Sequence, residues 1–185
     1  MEPAKPKTGN LMMNDTVSDK IMQRLEKETT HAFCVVGGGS IFLTDALSRS
    51  QIKPVFLLHE QACAIAADAY AQATGRLGLV IVTTGPGVTN AMTGVAASYI
   101  DSTPVMVLSG QVNTFHSMYD TGLRQRGIQE VDTVSLVSPI VKRVWGCFNP
   151  PSVLDELETG IQIALEPRCG PVWLDVPLDI QKAVI

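Results

Sequence analysis

Set against a prior of about 150 residues per domain, 185 residues predict one compact domain able to bury roughly 70% of its unfolded surface. Charged residues make up 17% of the chain and hydrophobic ones 45%, which excludes disorder beyond the ends and suits a buried parallel sheet or a surface covered by partners. The formal net charge of −4, with Arg124 to Arg126 as the one short basic stretch, supplies no nucleic-acid footprint.

Residues 1–14, MEPAKPKTGNLMMN, show no periodicity and read as a flexible lead, leaving 15–185 as the folded domain. From Asp15 an Asp/Thr start signal precedes Val17, Ile21, Met22 and Leu25 at helical spacing, a first amphipathic helix ending near Thr29 and Thr30. Short apolar runs then alternate with helical stretches. The runs are Ala32 to Val36, Val55 to Leu58, Leu79 to Val82, Val105 to Leu108, Val141 to Trp145 and Val172 to Val176. The helices between them are expected at Ile41 to Ser50, Glu60 to Thr74, Gly87 to Ile100, Glu130 to Val137 and Ser152 to Leu165. This alternation predicts an α/β fold: a doubly wound, mainly parallel six-stranded sheet with helices on both faces and right-handed crossovers.

Ligands of open α/β sheets bind beyond the carboxyl ends of the strands. Here those exits read GGGS from Gly37, HEQ from His59, TTGPG from Thr83, SGQ from Ser109 and DVPLD from Asp175. Glu60 opens a helix whose inward residues, Ala64, Ile65 and Ala67 to Ala69, are mostly small and permit close approach. It reads either as a first-turn glutamate complementing the helix dipole or, if desolvated, as a proton carrier near neutral pH. Gly85-Pro86-Gly87 resembles a phosphate cradle, but Asn90 stands where a third fingerprint glycine belongs, Pro86 removes a donor and no G-K-[ST] follows. A tight strand-to-helix turn is the other reading, as close packing is for GGGS.

Cys34, Cys63, Cys147 and Cys169 form no C-x-x-C and only three histidines are present, so no metal site is expected and the thiols read as buried and reduced. H-E-x-x-H and G-x-S-x-G are both absent. His116 reads as a solvated loop histidine, and His31 as bordering the first helix. Arg124 and Arg126 read as solvated charges, with an anionic substrate group or a partner subunit as alternatives. No apolar run approaches the ~20 residues of a membrane span and no signal peptide is apparent, so the expected address is the cytoplasm.

Taken together, HEQACAIAADAYA (His59 to Ala71), TTGPGVTN (Thr83 to Asn90), GIQEVD (Gly127 to Asp132) and PRCGPVWLDVPLDIQ (Pro167 to Gln181) resemble one family. It is the pyrimidine-binding, N-terminal domain of thiamine diphosphate enzymes of the acetolactate synthase type, and the resemblance runs from about Asp15 to Ile185. It implies that Glu60 hydrogen-bonds the aminopyrimidine of thiamine diphosphate and shifts its amino group toward an imino form. That form deprotonates the thiazolium carbon, giving the ylide that attacks a 2-oxo acid, from which carbon dioxide leaves. It further implies Gly37 and Gly38 near the thiazolium, Gly85, Pro86 and Asn90 shaping the pyrimidine pocket, and Gln111 and Gln129 facing a small 2-oxo acid substrate. Ile128 stands where acetolactate synthases carry Phe, and the loop YDTGLRQRG (Tyr119 to Gly127) replaces a G-T-D-A-like stretch. The pattern L-R-Q-x-G-[IV]-Q-E is closer to acetolactate synthase-like proteins of surface-polysaccharide or secondary pathways.

In the family a second α/β domain holds Mg²⁺ and the diphosphate through G-D-G followed by Asn, and no G-D-G occurs here. The resemblance therefore implies a diphosphate-binding domain or subunit as partner, on an excised domain or a subunit of a two-component decarboxylase. It also implies a homo-oligomer, dimer or tetramer, with the helices from Glu60 and Gly87 at the interface. Flavin contacts of the family lie mainly outside this stretch, so FAD has no support from these residues. Two other readings compete: a non-catalytic scaffold that keeps the fold, and a nucleotide-binding Rossmann module, which the glycine spacing disfavours.

Overall fold

The computed structural model describes residues 16–185, so the predicted lead at 1–14 lies outside the described residues. Six strands, β1 His31–Cys34, β2 Lys53–Phe56, β3 Gly78–Val82, β4 Val105–Gln111, β5 Arg143–Gly146 and β6 Val172–Pro177, form one sheet in the order β2-β1-β3-β4-β6-β5. Every pairing in it is parallel. All positions of β3, β4 and β6 are buried, as central strands covered on both faces should be, and they are apolar except for Ser109, Gln111 and Asp175. At one edge β2 exposes most of its length and carries Pro54, whose missing N–H an edge strand tolerates.

The helices are α1 Val17–Leu25, α2 Ile41–Arg49, α3 Glu60–Thr74, α4 Pro86–Asp101, α5 Thr133–Val137, α6 Val153–Leu165 and α7 Leu178–Gln181. Alternation along the strands sorts the core into two layers. Leu79, Ile81, Met106, Leu108 and Leu174 face α1, α2, α6 and α7, while Val80, Val82, Val105, Val107 and Trp173 face α3, α4 and α5. Each fully buried side chain of that size contributes roughly 1.5–3 kcal/mol of transfer free energy. Between the layers' helices, α1 is tied to α2 by Arg49 on the buried Asp19 at 2.7 Å and to α6 by Arg24 on Glu158 at 2.6 Å.

Helix ends follow their caps. Thr16 accepts from Asp19 N at 3.2 Å to start α1, and Gly75 in the left-handed region stops α3. α1 stops at Leu25, short of Thr29 and Thr30, and His31 is the first residue of β1 instead of bordering α1. β2 lies two residues earlier than its apolar run, leaving Leu58 fully exposed. The helix expected from Glu130 begins at Thr133, because Asp132 caps it by accepting from Ser135 N at 3.0 Å. Ile65 points outward at 50% exposure, and Cys63, Ala64, Ala67 and Ala71 form the inner stripe of α3. All four cysteines are free; three are buried and Cys169 is half-buried. Burial pushes the Cys34 thiol up to about 11 and, with smaller effects from Cys34 and Glu60, the Cys63 thiol up to about 12.

Candidate functional site

The sheet order reverses between β1 and β3, since α2 leaves one face and α3 the other. Their carboxyl ends part there, which is where open α/β sheets take ligands. A second parting lies between β4 and β6. A cleft of about 350 Å³ opens across these exits, lined by Gly38 after β1, Thr83 and Thr84 after β3, Val112 after β4 and Leu178 after β6. Gln129, Ile128 and His116 close its outer side from the 113–130 loop. Gly37 packs against Thr83, where an added Cβ would come within 2.4 Å of the Thr83 Cβ. Gly38 meets nothing and faces the opening.

Glu60 sits beside this cleft at the first turn of α3, whose cap is His59 Nδ1 accepting from Gln61 N at 3.2 Å. Asn90, one turn into α4, donates from Nδ2 to Glu60 Oε2 at 2.9 Å. Oε1 has no hydrogen-bond partner among the described residues and points toward Gly87, whose missing Cβ would stand 3.7 Å away. One carboxylate oxygen is thus held and the other is free to meet a donor. The side chain is half-buried, not desolvated, within this chain. Apolar side chains stand exposed at the ends of β1 and β2, Val36, Phe56 and Leu58, and on α3, Ile65. Pro86 occupies the first turn of α4, exposed, where its lost N–H costs nothing.

The exits SGQ and DVPLD, named as candidates above, meet in a buried polar floor. Gln111, expected to face substrate, is fully buried beneath the cleft. Its Oε1 accepts from Thr84 Oγ1 at 2.7 Å and from Val112 N at 2.9 Å, and its Nε2 donates to Asp175 Oδ2 at 3.0 Å. Asp175 also accepts from Ser109 Oγ, which in turn accepts from Trp173 Nε1 at 2.7 Å. Burial pushes the Asp175 carboxyl up to about 7, against the hydrogen bonds from Ser109, Gln111 and Thr133 that favour its charge. An acid inside the otherwise apolar strand VWLDVP was the signal available in the sequence.

The outer wall is held by Glu130, which is buried and accepts from Met118 N at 2.6 Å, Gly127 N at 2.8 Å and Arg126 N at 3.0 Å. Burial pushes its carboxyl up, but these donors, Gly127 first, outweigh it and hold the group below its ordinary value. Gln129 is exposed on the cleft with a left-handed backbone, φ +58°. Ile128 is 87% exposed at the rim. His116 is also exposed but belongs to the cleft lining, which loop composition did not reveal. Arg124 is exposed, and Arg126 lies 5.2 Å over the Phe115 ring.

Fold and site together define a doubly wound α/β ligand-binding domain with a half-held carboxylate at its switch point. Residues 15–136 match the family described as thiamine pyrophosphate enzyme, N-terminal TPP binding domain. A probable acetolactate synthase large subunit of Methanocaldococcus jannaschii is 37% identical over 169 residues, covering 91% of this chain and 28% of that protein. The acetolactate synthase isozyme 3 large subunit of Escherichia coli is 39% identical over 157 residues, covering 84% and 26%. An acetolactate synthase of Arthrospira platensis is 35% identical over 159 residues, covering 84% and 26%. The chain belongs to the thiamine pyrophosphate enzymes and corresponds to their N-terminal TPP binding domain. It spans about a quarter of the length of these relatives.

Proposed function

We propose that this domain presents Glu60 to the aminopyrimidine of thiamine diphosphate in an acetolactate synthase-like enzyme that decarboxylates a small 2-oxo acid and joins the product to a second carbonyl. The carrying observation is the Glu60 carboxylate, with Oε2 fixed by Asn90 and Oε1 open beside Gly87. A free, oriented carboxylate oxygen fits a ring nitrogen that carries or shares a proton. The bound cofactor supplies a carbanion-stabilising thiazolium that the protein's own side chains lack.

In this reading the open Oε1 of Glu60 would meet the ring nitrogen of a bound aminopyrimidine and share its proton, while Asn90 keeps the carboxylate from rotating. Gly85 and Pro86 shape the pyrimidine side of the turn, Gly38 leaves room for the thiazolium while Gly37 seats the loop against Thr83, and Gln129 faces the substrate. Gln111 acts from below, through Thr84 and Val112. Among the described residues no three His, Cys, Asp or Glu side chains gather into a metal site. The proposal therefore assigns Mg²⁺ and the diphosphate to a partner domain or subunit that also covers Glu60, in a cytoplasmic homo-oligomer. No described helix is long and apolar enough to cross a membrane.

The test joins or mixes this chain with the diphosphate-binding domain of a relative and follows carbon dioxide release from pyruvate. Glu60→Gln is expected to lower turnover by about 10²- to 10⁴-fold, the range of general acid–base steps. Undiminished turnover in the Gln variant removes Glu60 from the mechanism. Absence of turnover in an assembled pair that binds thiamine diphosphate favours the scaffold reading.

A further inference from the structure

The sheet face that packs on α3, α4 and α5 is apolar as far as Val107 and Trp173, then turns polar at its carboxyl end with Ser109, Gln111 and Asp175. Ser109 and Asp175 are register partners across β4 and β6, so the polar patch lies at the second parting of the sheet. Its hydrogen bonds have one direction. Trp173 Nε1 can only donate, so Ser109 Oγ accepts there and gives its own hydrogen to Asp175 Oδ1. Val112 N can only donate, so the Gln111 oxygen faces it and the Gln111 nitrogen faces Asp175 Oδ2 and Val131 O, the latter at 3.2 Å. Turning the amide over would set a nitrogen against Val112 N–H and an oxygen against Val131 O. Every described side-chain partner of Asp175 is a donor, an arrangement suited to a charged carboxylate.

The same amide oxygen accepts from the Thr84 hydroxyl, and Thr84 and Val112 both line the cleft. We propose that Asp175 is a positioning residue of the cleft: acting through the Gln111 amide, it sets Thr84 and Val112 without touching anything bound there. Its consequence for catalysis rests on the function proposed above, whereas the coupling belongs to this chain alone. The other titratable groups around Asp175 are Asp132 and the Tyr119 hydroxyl on the loop side, Cys147 after β5, and Glu156 of α6 behind Cys147. Asp132 is engaged by Ser135 and Tyr119, whose hydroxyl donates to it at 3.2 Å. Burial and then the neighbouring acids push the Tyr119 hydroxyl and the Cys147 thiol up, so both stay neutral while Asp175 titrates.

The test is an NMR titration of the 185-residue chain without cofactor, from pH about 5 to about 9, following the Asp175 carboxyl carbon, the Gln111 side-chain amide, Val112 N–H and the Thr84 methyl. All four are expected to move with one midpoint near the value of about 7. In Asp175→Asn the common titration is expected to vanish. In Thr84→Val, a near-isosteric change that leaves the inner bonds in place, Gln111 and Val112 are expected still to follow Asp175. A Val112 and Thr84 that stay still while Asp175 titrates overturn the proposal. So does their titration persisting in Asp175→Asn, or an Asp175 carbon that does not titrate in this range. If Asp175→Asn fails to fold, the wild-type chain and Thr84→Val decide alone. Because no cofactor is used, failure here leaves the Glu60 experiment standing, and failure of Glu60 leaves this coupling standing.

Discussion

Gly85 and Gln129 fit together as a matched pair: a Cβ on Gly85 would stand 2.3 Å from the Gln129 carbonyl oxygen. Both have left-handed backbones, φ +66° and +58°. The turn that follows β3 is therefore seated directly against the loop that walls the cleft.

Gly85→Ala is expected to destabilise the domain by about 2–4 kcal/mol, combining the left-handed penalty with displacement of the loop backbone. Urea unfolding of the two chains measures it, and amide shifts at Gln129 locate the disturbance. An Ala variant as stable as the wild type contradicts the close seating.

Glu130→Gln keeps the shape but replaces a carboxylate acceptor with an amide, whose NH₂ faces a backbone N–H. A loss of about 2–4 kcal/mol is expected for the charge-assisted bonds. Because the folded carboxyl lies below its ordinary value of 4.5, its contribution is present above that pH and is lost as the pH falls through the folded value. Hydrogen exchange should speed up at Met118, Arg126 and Gly127 before the rest of the sheet.

For Asp175 the sign is opposite. Its folded value of about 7 lies above the ordinary 3.8, so the folded state holds the extra proton between them. Its contribution is full below about 3.8 and is lost as the pH rises to about 7, with a slope of at most about 1.4 kcal/mol per pH unit. Asp175→Asn should remove that slope. Unfolding midpoints taken across the window, wild type against variant, give the difference directly.

Arg49→Met leaves the Asp19 carboxylate buried beside Thr16 without its cation. Breaking such a pair from one side costs roughly 3–5 kcal/mol when both are buried, and somewhat less here because Arg49 keeps some exposure. Burial raises the Asp19 carboxyl but Thr16 and Arg49 bring it below 3.8, so the wild-type contribution is present above that value and fades in acid. The penalty of Arg49→Met should accordingly shrink only as the pH falls below about 3.8, and thermal unfolding above and below that value checks it.

The strands that fill the middle of the sheet were legible because segments covered on both faces run almost wholly apolar, as β3 does throughout and β4 and β6 do apart from Ser109, Gln111 and Asp175. α3 was legible from end to end, with His59 before it and Gly75 after it. The edge strand β2 was not, because one pairing partner fixes its register less firmly and its apolar residues do not all face inward. Glu130 lies ahead of the helix expected to begin there and binds loop amides as far back as Met118, twelve residues away, a choice no local spacing encodes.

What the sequence determined by itself was the layered α/β architecture, the strand exits and the family, since periodicity, turn residues and the stretch around Glu60 are local properties of the chain. Only the tertiary structure decided which polar residues look into the cleft and which hold it up. Gln111 and Gln129 are alike in type and in nearness to strand or loop ends, yet one is sealed at the end of β4 beneath the cleft and the other stands at the opening. The physical reason is that a buried amide must find both a donor and an acceptor. Val112 is the chain neighbour of Gln111, but Thr84 after β3 and Asp175 of β6 meet Gln111 only when the sheet is assembled.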